Sequence, residues 1–227
     1  SMAVQIKTVT TRSDLKTFVR FANRLYKGNP YYVPSMPMDD MNTFNKEKNG
    51  AFDFSDAELY LAYKNGKVAG RVAAIVNRKA NEAWNVNQVR FGWIDFIDDL
   101  EVSAALLEAV SEFGRKAGMT QIVGPLGFTD FDPEGMLVEG FDRLCTMALI
   151  YNHPYYPEHM KKHGYYKETG WVEYRITIPE QLPDRHRCIA EAVMERYGLV
   201  IKKKTRREIK KENYGQKLFQ LINDTYC

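Results

Sequence analysis

The densest run of chemically useful side chains is a glycine-punctuated acidic stretch, Gly127-Phe-Thr-Asp-Phe-Asp-Pro-Glu-Gly-Met-Leu-Val-Glu-Gly140. Its four carboxylates, Asp130, Asp132, Glu134 and Glu139, would draw a cationic amine and repel a phosphate. The glycines lack the lysine and the following helix of a nucleotide-binding P-loop. Such a loop at the carboxyl end of a sheet is where α/β folds place ligands. A surface loop held by turns is an equally good account.

Three other constellations carry weaker chemistry. His159 and His163 stand four apart on one expected helix face, a metal-compatible spacing, yet no acidic or histidine partner in sequence completes a site, and no metal is assigned. Cys145 with His153 can be drawn as a thiol and its base, but without an activating signature a buried cysteine is the better account. The basic run Lys202-Lys-Lys-Thr-Arg-Arg207, with Lys210 and Lys211, has sparse aromatic interleaving and reads as a solvated face rather than a nucleic-acid site.

The elements that must position these residues centre on Gln88–Phe128. Gln88–Asp98 has aromatic and β-branched residues on both faces of a buried strand, with Val89, Phe91, Trp93 and Asp95 on one and Arg90, Gly92, Ile94 and Phe96 on the other. From about Leu100, Val102, Leu106, Val110 and Phe113 mark one helix stripe that Lys116 and Gly118 close. Gln121-Ile-Val-Gly-Pro125 gives a short second strand that ends at Pro125, and the pair suits a parallel arrangement with a right-handed crossover. Upstream, Val4–Thr8 reads as a strand and Ser13 as the cap of a helix from Asp14 to about Lys27. Tyr31–Gly50 is a long irregular connection. Asn65-Gly66 joins Glu58–Lys64 to Val68–Asn77 as a hairpin, and Asn81–Asn87 is a polar connection. Downstream come a short strand at Met147–Tyr151, a helix Glu158–His163, a strand Trp171–Ile178, a helix beyond Pro183, a strand Leu199–Lys203 and a last helix Gly215–Tyr226.

Composition is that of an ordinary globular chain: 227 residues, 44% hydrophobic, 27% charged, net charge +3. Apolar runs fall short of the ~20 residues of a membrane span, and no signal-peptide pattern opens the chain. Three widely spaced cysteines suit a reducing cytoplasm. A small-molecule partner is expected, with no nucleic acid and no membrane. Ile201-Lys…Thr205-Arg followed by LFQLINDTY echoes Ile6-Lys…Thr11-Arg followed by FVRFANRLY. The expected organisation is therefore one domain over residues 1–183, then a linker helix and the opening of a second copy over 184–227.

The element order resembles the GCN5-related N-acetyltransferase (GNAT) family. Val68-Ala-Gly-Arg71 beside the hairpin, and Tyr156…Lys162-His-Gly-Tyr165, look like that family's second and third strands and its late helix. More narrowly, Arg90-Phe-Gly-Trp-Ile-Asp95, Gly124-Pro-Leu-Gly-Phe128, Val138-Glu-Gly-Phe141 and Tyr151-Asn-His-Pro-Tyr-Tyr156 are similar to bacterial proteins described as acetyltransferase-like. The likeness covers roughly residues 4–178.

That resemblance implies an α/β fold, an acyl-CoA N-acyltransferase-like mixed sheet flanked by helices, with acetyl-CoA or another acyl-CoA as donor. In the family a glycine-containing turn offers backbone amides to the pyrophosphate. Here the turn is Asp95-Phe-Ile-Asp-Asp-Leu-Glu101, with no glycine and no cation, and its carboxylates compete with phosphate for the helix end. Met160 stands where the family has its general-acid tyrosine, so Tyr151, Tyr155 or Tyr156 are the candidate donors, and Glu139 or Asp95 the candidate base through a water. Asp95, Asp130, Asp132 and Asn152 are the candidate substrate contacts. The function implied is N-acyl transfer to a small amine or amino-acid-like substrate. The alternative is a non-catalytic relative that binds a ligand or a protein partner.

Overall fold

A computed structural model describes residues 3–146 and 149–225, and the chain divides into two compact units, residues 1–169 and 170–227. The first unit is a five-stranded sheet in the order β1 (Gln5–Thr8), β2 (Ser55–Lys64), β3 (Lys67–Asn77), β4 (Gln88–Phe96), β5 (Gln121–Val123). Neighbours are antiparallel except β4 and β5, which run parallel over three residue pairs. The mixed sheet and its one parallel crossover are as the sequence implies. The hairpin turn between β2 and β3 has both Asn65 and Gly66 at positive φ, 52° and 73°, the backbone that an Asn-Gly pair adopts most easily.

Two helices cover the sheet faces. Helix α1 (Arg12–Leu25) buries Phe18 and Val19 against Leu61, Ala73, Ile75 and Trp93. Between α1 and β2, the short α2 (Pro37–Thr43) and a 3₁₀ turn (Gly50–Asp53) occupy the expected irregular connection. On the other face α4 (Leu100–Lys116), which follows the short α3 (Arg78–Trp84), buries Val102, Leu106 and Val110 against Val72, Ala74, Val89 and Phe91. At about 25 cal/mol per Å² of apolar surface, such burial is the main source of the fold's stability.

One residue reorganises β4. Trp93 takes φ 45°, and the register against β3 skips between Arg71 and Ala73. This bulge switches the parity of the strand: Val89 and Phe91 share a cluster with Ile94 and Phe96, while Trp93 packs in the opposite one. The simple alternation expected for Gln88–Asp98 therefore breaks at its middle, and Asp95 does not share a face with Val89. Gly92 is required here, because a Cβ would lie 2.4 Å from the Leu126 carbonyl oxygen.

Other expectations need correction. Thr11 rather than Ser13 caps α1, accepting from the Asp14 amide at 3.1 Å. Asn81–Asn87 is not a plain connection, since α3 runs through Asn81 to Trp84. Helix α5 (Tyr155–Lys162) starts three residues earlier than expected. Trp171–Ile178 and Leu199–Lys203 carry strand-like patterns but form no strand, because no neighbouring strand supplies the hydrogen bonds that would fix them. Of the expected strand Met147–Tyr151, residues 147 and 148 lie outside the described residues, and 149–151 are not in a strand.

The second unit contains α6 (Asp184–Tyr197), α7 (Arg206–Lys211) and α8 (Tyr214–Thr225). Thr205 and Glu208 form a reciprocal capping box at the start of α7. No described residue from 170 onward is buried.

Candidate functional site

The carboxyl end of β4 gathers the polar side chains of the first unit. Asp95 is 7% exposed and faces Arg71 of β3, with Nε and Nη2 at 3.0 and 2.8 Å from Oδ2. Arg71 also donates to the Phe18 carbonyl at 3.0 Å. The other carboxylate oxygen of Asp95 accepts from the Tyr156 hydroxyl at 2.8 Å and, more loosely, from Tyr26 at 3.5 Å. Burial, with the charge of Asp95 beside them, pushes both tyrosines far above their ordinary pKa, so they stay protonated donors. This is a closed, mutually satisfied network, so Asp95 is an internal partner and not the open substrate contact or base expected from the sequence.

Phe96 at the end of β4 pairs with Gly70 of β3 on one side, but because β5 stops at Val123 its other side has no strand, and α5 supplies the partners there. The Phe96 amide donates to Tyr156 at 3.2 Å, and the Tyr155 hydroxyl donates to its carbonyl. Tyr155 remains half-buried, and burial first, then the charges of Asp98 and Asp95, raise its pKa well above the ordinary tyrosine value. It is therefore protonated at neutral pH, with its one hydrogen given to the Phe96 carbonyl. His153 stacks on Tyr26 and Tyr155, with ring centroids 4.5 and 5.1 Å apart.

A second array lies where α4 begins. Asp99 caps the helix by accepting from the Glu101 amide at 2.9 Å, and Lys64 of β2 bonds to both Asp99 and Glu101. Asp98, 67% exposed, accepts from His159 Nε2 at 2.7 Å. His159, only 3% exposed, contacts Ser103 Oγ through Nδ1 at 2.7 Å, and His163 Nε2 meets the same oxygen at 2.7 Å. The two histidines singled out for their spacing thus converge on a wholly buried serine. No group of three or more possible metal ligands occurs among the described residues.

The expected site residues are only partly brought together. Tyr151 donates to the Phe141 carbonyl at 2.9 Å and packs edge-on to Tyr26; together with Tyr155, it lies near the end of β4. Asn152 is buried and bridges to both backbone groups of Leu137 at 2.7 and 3.1 Å, so it fastens the acidic loop instead of facing a ligand. Asp132 accepts from the amides of Phe128 and Thr129 at 2.8 and 3.1 Å. Asp130 and Glu139 are exposed. Half-buried Arg90 donates to the Gly127 carbonyl and feels the charges of Asp130, Glu134 and Asp132. Cys145 is partly exposed, not buried as expected, and donates to the carbonyls of Thr146 and Leu149.

Sequence reasoning missed Tyr26, Arg71 and Ser103. Tyr26 lies within the expected helix Asp14–Lys27 and Arg71 within the expected strand Val68–Asn77, and nothing local singles either out. Ser103 interrupts the apolar stripe of α4, which is a faint sign of a buried polar partner.

The mixed five-stranded sheet, its one parallel crossover and its flanking helices match the architecture that the sequence resemblance implied. The fold is GNAT-like. No protein-family model matches the chain. It is 30% identical to Protein YghO of Escherichia coli over 71% of its length and 41% of that protein. It is 25% identical to a bacterial ceramide synthase of Caulobacter vibrioides over 96% of its length and 56% of that protein. The chain thus spans about half the length of the curated relatives it matches. Among solved structures, a tandem GNAT protein from the clavulanic acid biosynthesis pathway superposes with a TM-score of 0.47 at 12% identity, covering 71% of this GNAT-like chain and 43% of that one. No described helix is long and apolar enough to cross a membrane.

Proposed function

We propose that the first unit is an N-acyltransferase domain that joins the acyl group of a thioester to an amine. The observation that carries this reading is the polar end of β4, where an outward-facing carboxylate, Asp98, stands near the protonated hydroxyl of Tyr155 in a GNAT-like sheet. The ammonium of the acceptor would meet Asp98, and Tyr155, on turning its hydrogen away from the Phe96 carbonyl, would serve as a donor beside it. The likeness to a ceramide synthase supports the same bond class, since a ceramide is the N-acyl amide of a long-chain amino alcohol. The shared Thr11 and Thr205 helix caps support reading the residues after the linker helix as the opening of a second, tandem copy. A cytoplasmic setting accords with the cysteine usage.

The start of α4 does not fit the diphosphate of acyl-CoA. Its Glu101 amide is already bonded to Asp99, its one nearby cation, Lys64, is bonded to two carboxylates, and Asp98 adds negative charge. The Phe96 backbone is likewise occupied by Tyr155 and Tyr156. An acyl thioester that binds must set its phosphates, if it has any, elsewhere. This misfit favours a second reading: a domain that has lost donor binding and holds an amine-bearing ligand or a partner.

The test is to incubate the full chain with acetyl-, octanoyl- and palmitoyl-CoA and a panel of primary amines, following amide and free thiol by mass spectrometry. Acyl transfer predicts stoichiometric amide and thiol. If no amide forms and no acyl-CoA shifts the melting temperature, acyl transfer is overturned and the ligand-binding reading takes its place.

A further inference from the structure

The array Asp98, His159, Ser103 and His163 is unused by the donor chemistry, yet it is one of the few polar assemblies that reach from a buried serine to a solvent-facing carboxylate. Its hydrogen atoms can be counted. An ionised Asp98 only accepts, so His159 must carry its proton on Nε2. The bare Nδ1 then accepts the Ser103 hydroxyl proton, and Ser103 Oγ in turn accepts from His163 Nε2. All three links are 2.7 Å, and one orientation of the chain satisfies every group.

We propose that this array is a proton-gated ammonium site, in which Asp98 binds the amine and a proton taken up at half-buried His163 cancels it. The assignment of the ammonium as an acyl acceptor rests on the acyl-transfer reading; the connectivity rests on the hydrogen bonds alone. A proton arriving from water at His163 Nδ1 lets Nε2–H pass to Ser103 Oγ. The serine passes its own proton to His159 Nδ1. The result is a neutral His163 and an imidazolium at His159, its Nε2–H still directed at Asp98, so one unit of positive charge has entered beside the carboxylate and none has been lost. An ammonium and this imidazolium then compete for one negative charge.

The groups around the array allow this exchange. His159 faces Asp98 from the β4–α4 turn, Ser103 from α4, and Tyr155 and His163 from its own helix, with Phe96 of β4 packed 5.0 Å from its ring centre. Tyr155 stays protonated, so it adds no charge of its own. Asp99 and Glu101, the other carboxylates of the turn, are engaged by Lys64. Burial and the neighbouring His159 hold the pKa of His163 below the ordinary imidazole value, which favours a neutral His163 at neutral pH. Among the described residues Ser103 bonds both rings, and the Leu100 carbonyl lies 3.3 Å from its oxygen.

The experiment uses the full chain and octylammonium chloride as probe, with no acyl donor present. Calorimetry at pH 8 and pH 5.5 should show binding about three- to fivefold tighter at the higher pH, the scale of one partly exposed charge pair. Asp98→Asn, at an exposed position that should not disturb folding, should weaken binding at pH 8 and flatten the pH dependence. Wild-type affinity in this variant, or equal wild-type affinity at both pH values, would overturn the proposal. Nitrogen-15 spectra of the histidines provide a readout that needs no ligand. His159 should be the Nε2–H tautomer at pH 8, and Asp98→Asn should shift the titration of His163. A His159 Nδ1–H tautomer, or a His163 titration unmoved by Asp98→Asn, would overturn the array. Ser103→Ala should uncouple the two rings, and Ser103→Thr, which keeps the hydroxyl, should restore the coupling. Because no thioester is involved, failure of amide formation would sink only the acyl-transfer reading.

Discussion

The end of β4 and the acidic loop Gly127–Gly140 both concentrate carboxylates, but they use them in opposite ways. At β4, Asp95 is consumed by Arg71, Tyr156 and Tyr26, and Asp98 is the outward member of a chain that runs through His159 and buried Ser103 to His163. In the loop, Asp132 ties down two backbone amides while Asp130 and Glu139 stand in solvent without such support. A carboxylate oriented by buried partners is a better recognition device than one on an exposed loop, because its geometry is fixed before a ligand arrives. Charge density alone therefore pointed to the region whose carboxylates have fewer buried partners.

The largest effect expected from breaking this contrast is at Arg71. Arg71→Met strands a buried carboxylate and should cost about 3–5 kcal/mol in urea unfolding. Asp130→Asn should change stability by no more than about 0.5 kcal/mol. Comparable losses for the two would show that Asp95 is hydrated in solution and that the closed network is not the core of the site. Next in size is Tyr156→Phe, which removes the donor to Asp95 and the acceptor of the Phe96 amide. It should cost about 1–3 kcal/mol by the same measurement.

These two substitutions fall at positions that the sequence discloses unequally. The hairpin and the β4–α4–β5 crossover are legible because turn chemistry and hydrophobic period are local: Asn65-Gly66 needs no distant partner to specify its turn. Tyr155 and Asp95 were legible as residues at a sheet end, but not their roles, since those depend on α5 filling the space beside Phe96. The bulge at Trp93 left only Gly92 as a sign, and it reversed the face assigned to the last residues of β4. The union of Ser103 with His159, 56 residues apart, is a contact between helices that no spacing rule encodes. Trp171–Ile178 shows the converse: its alternation is clear, yet a strand also requires a neighbour to pair with.

A smaller effect should appear on acidification. Burial depresses the pKa of both His153 and His163, so between the ordinary value near 6.5 and their folded values the unfolded chain binds more protons than the folded one. Stability contributed by these groups is therefore present above about pH 6.5 and lost as the pH falls through the folded values. Urea midpoints measured from pH 7.5 to pH 5 should decline, and His153→Phe, which keeps the stacking on Tyr26 and Tyr155, should make the decline shallower. An unchanged slope would place His153 in water and loosen the aromatic wall beside the site.

The smallest expected effect decides between the two regions. Asp130 and Glu139 lie on the exposed loop, where salt at physiological strength screens charges beyond about 8 Å. Replacing both by amides should leave stability unchanged and weaken octylammonium binding by less than about twofold at that ionic strength, the scale of an exposed charge pair. Even this difference should fade in high salt, because steering by unanchored charges is the contribution that counter-ions remove. Asp98→Asn, in contrast, should retain more of its effect, since the bond from His159 holds that carboxylate in one place. If the loop variant weakens binding more than Asp98→Asn does, the loop is the docking surface and the ordering of the two regions is reversed. The calorimetric titration of both variants in low and high salt separates these outcomes without reference to any donor.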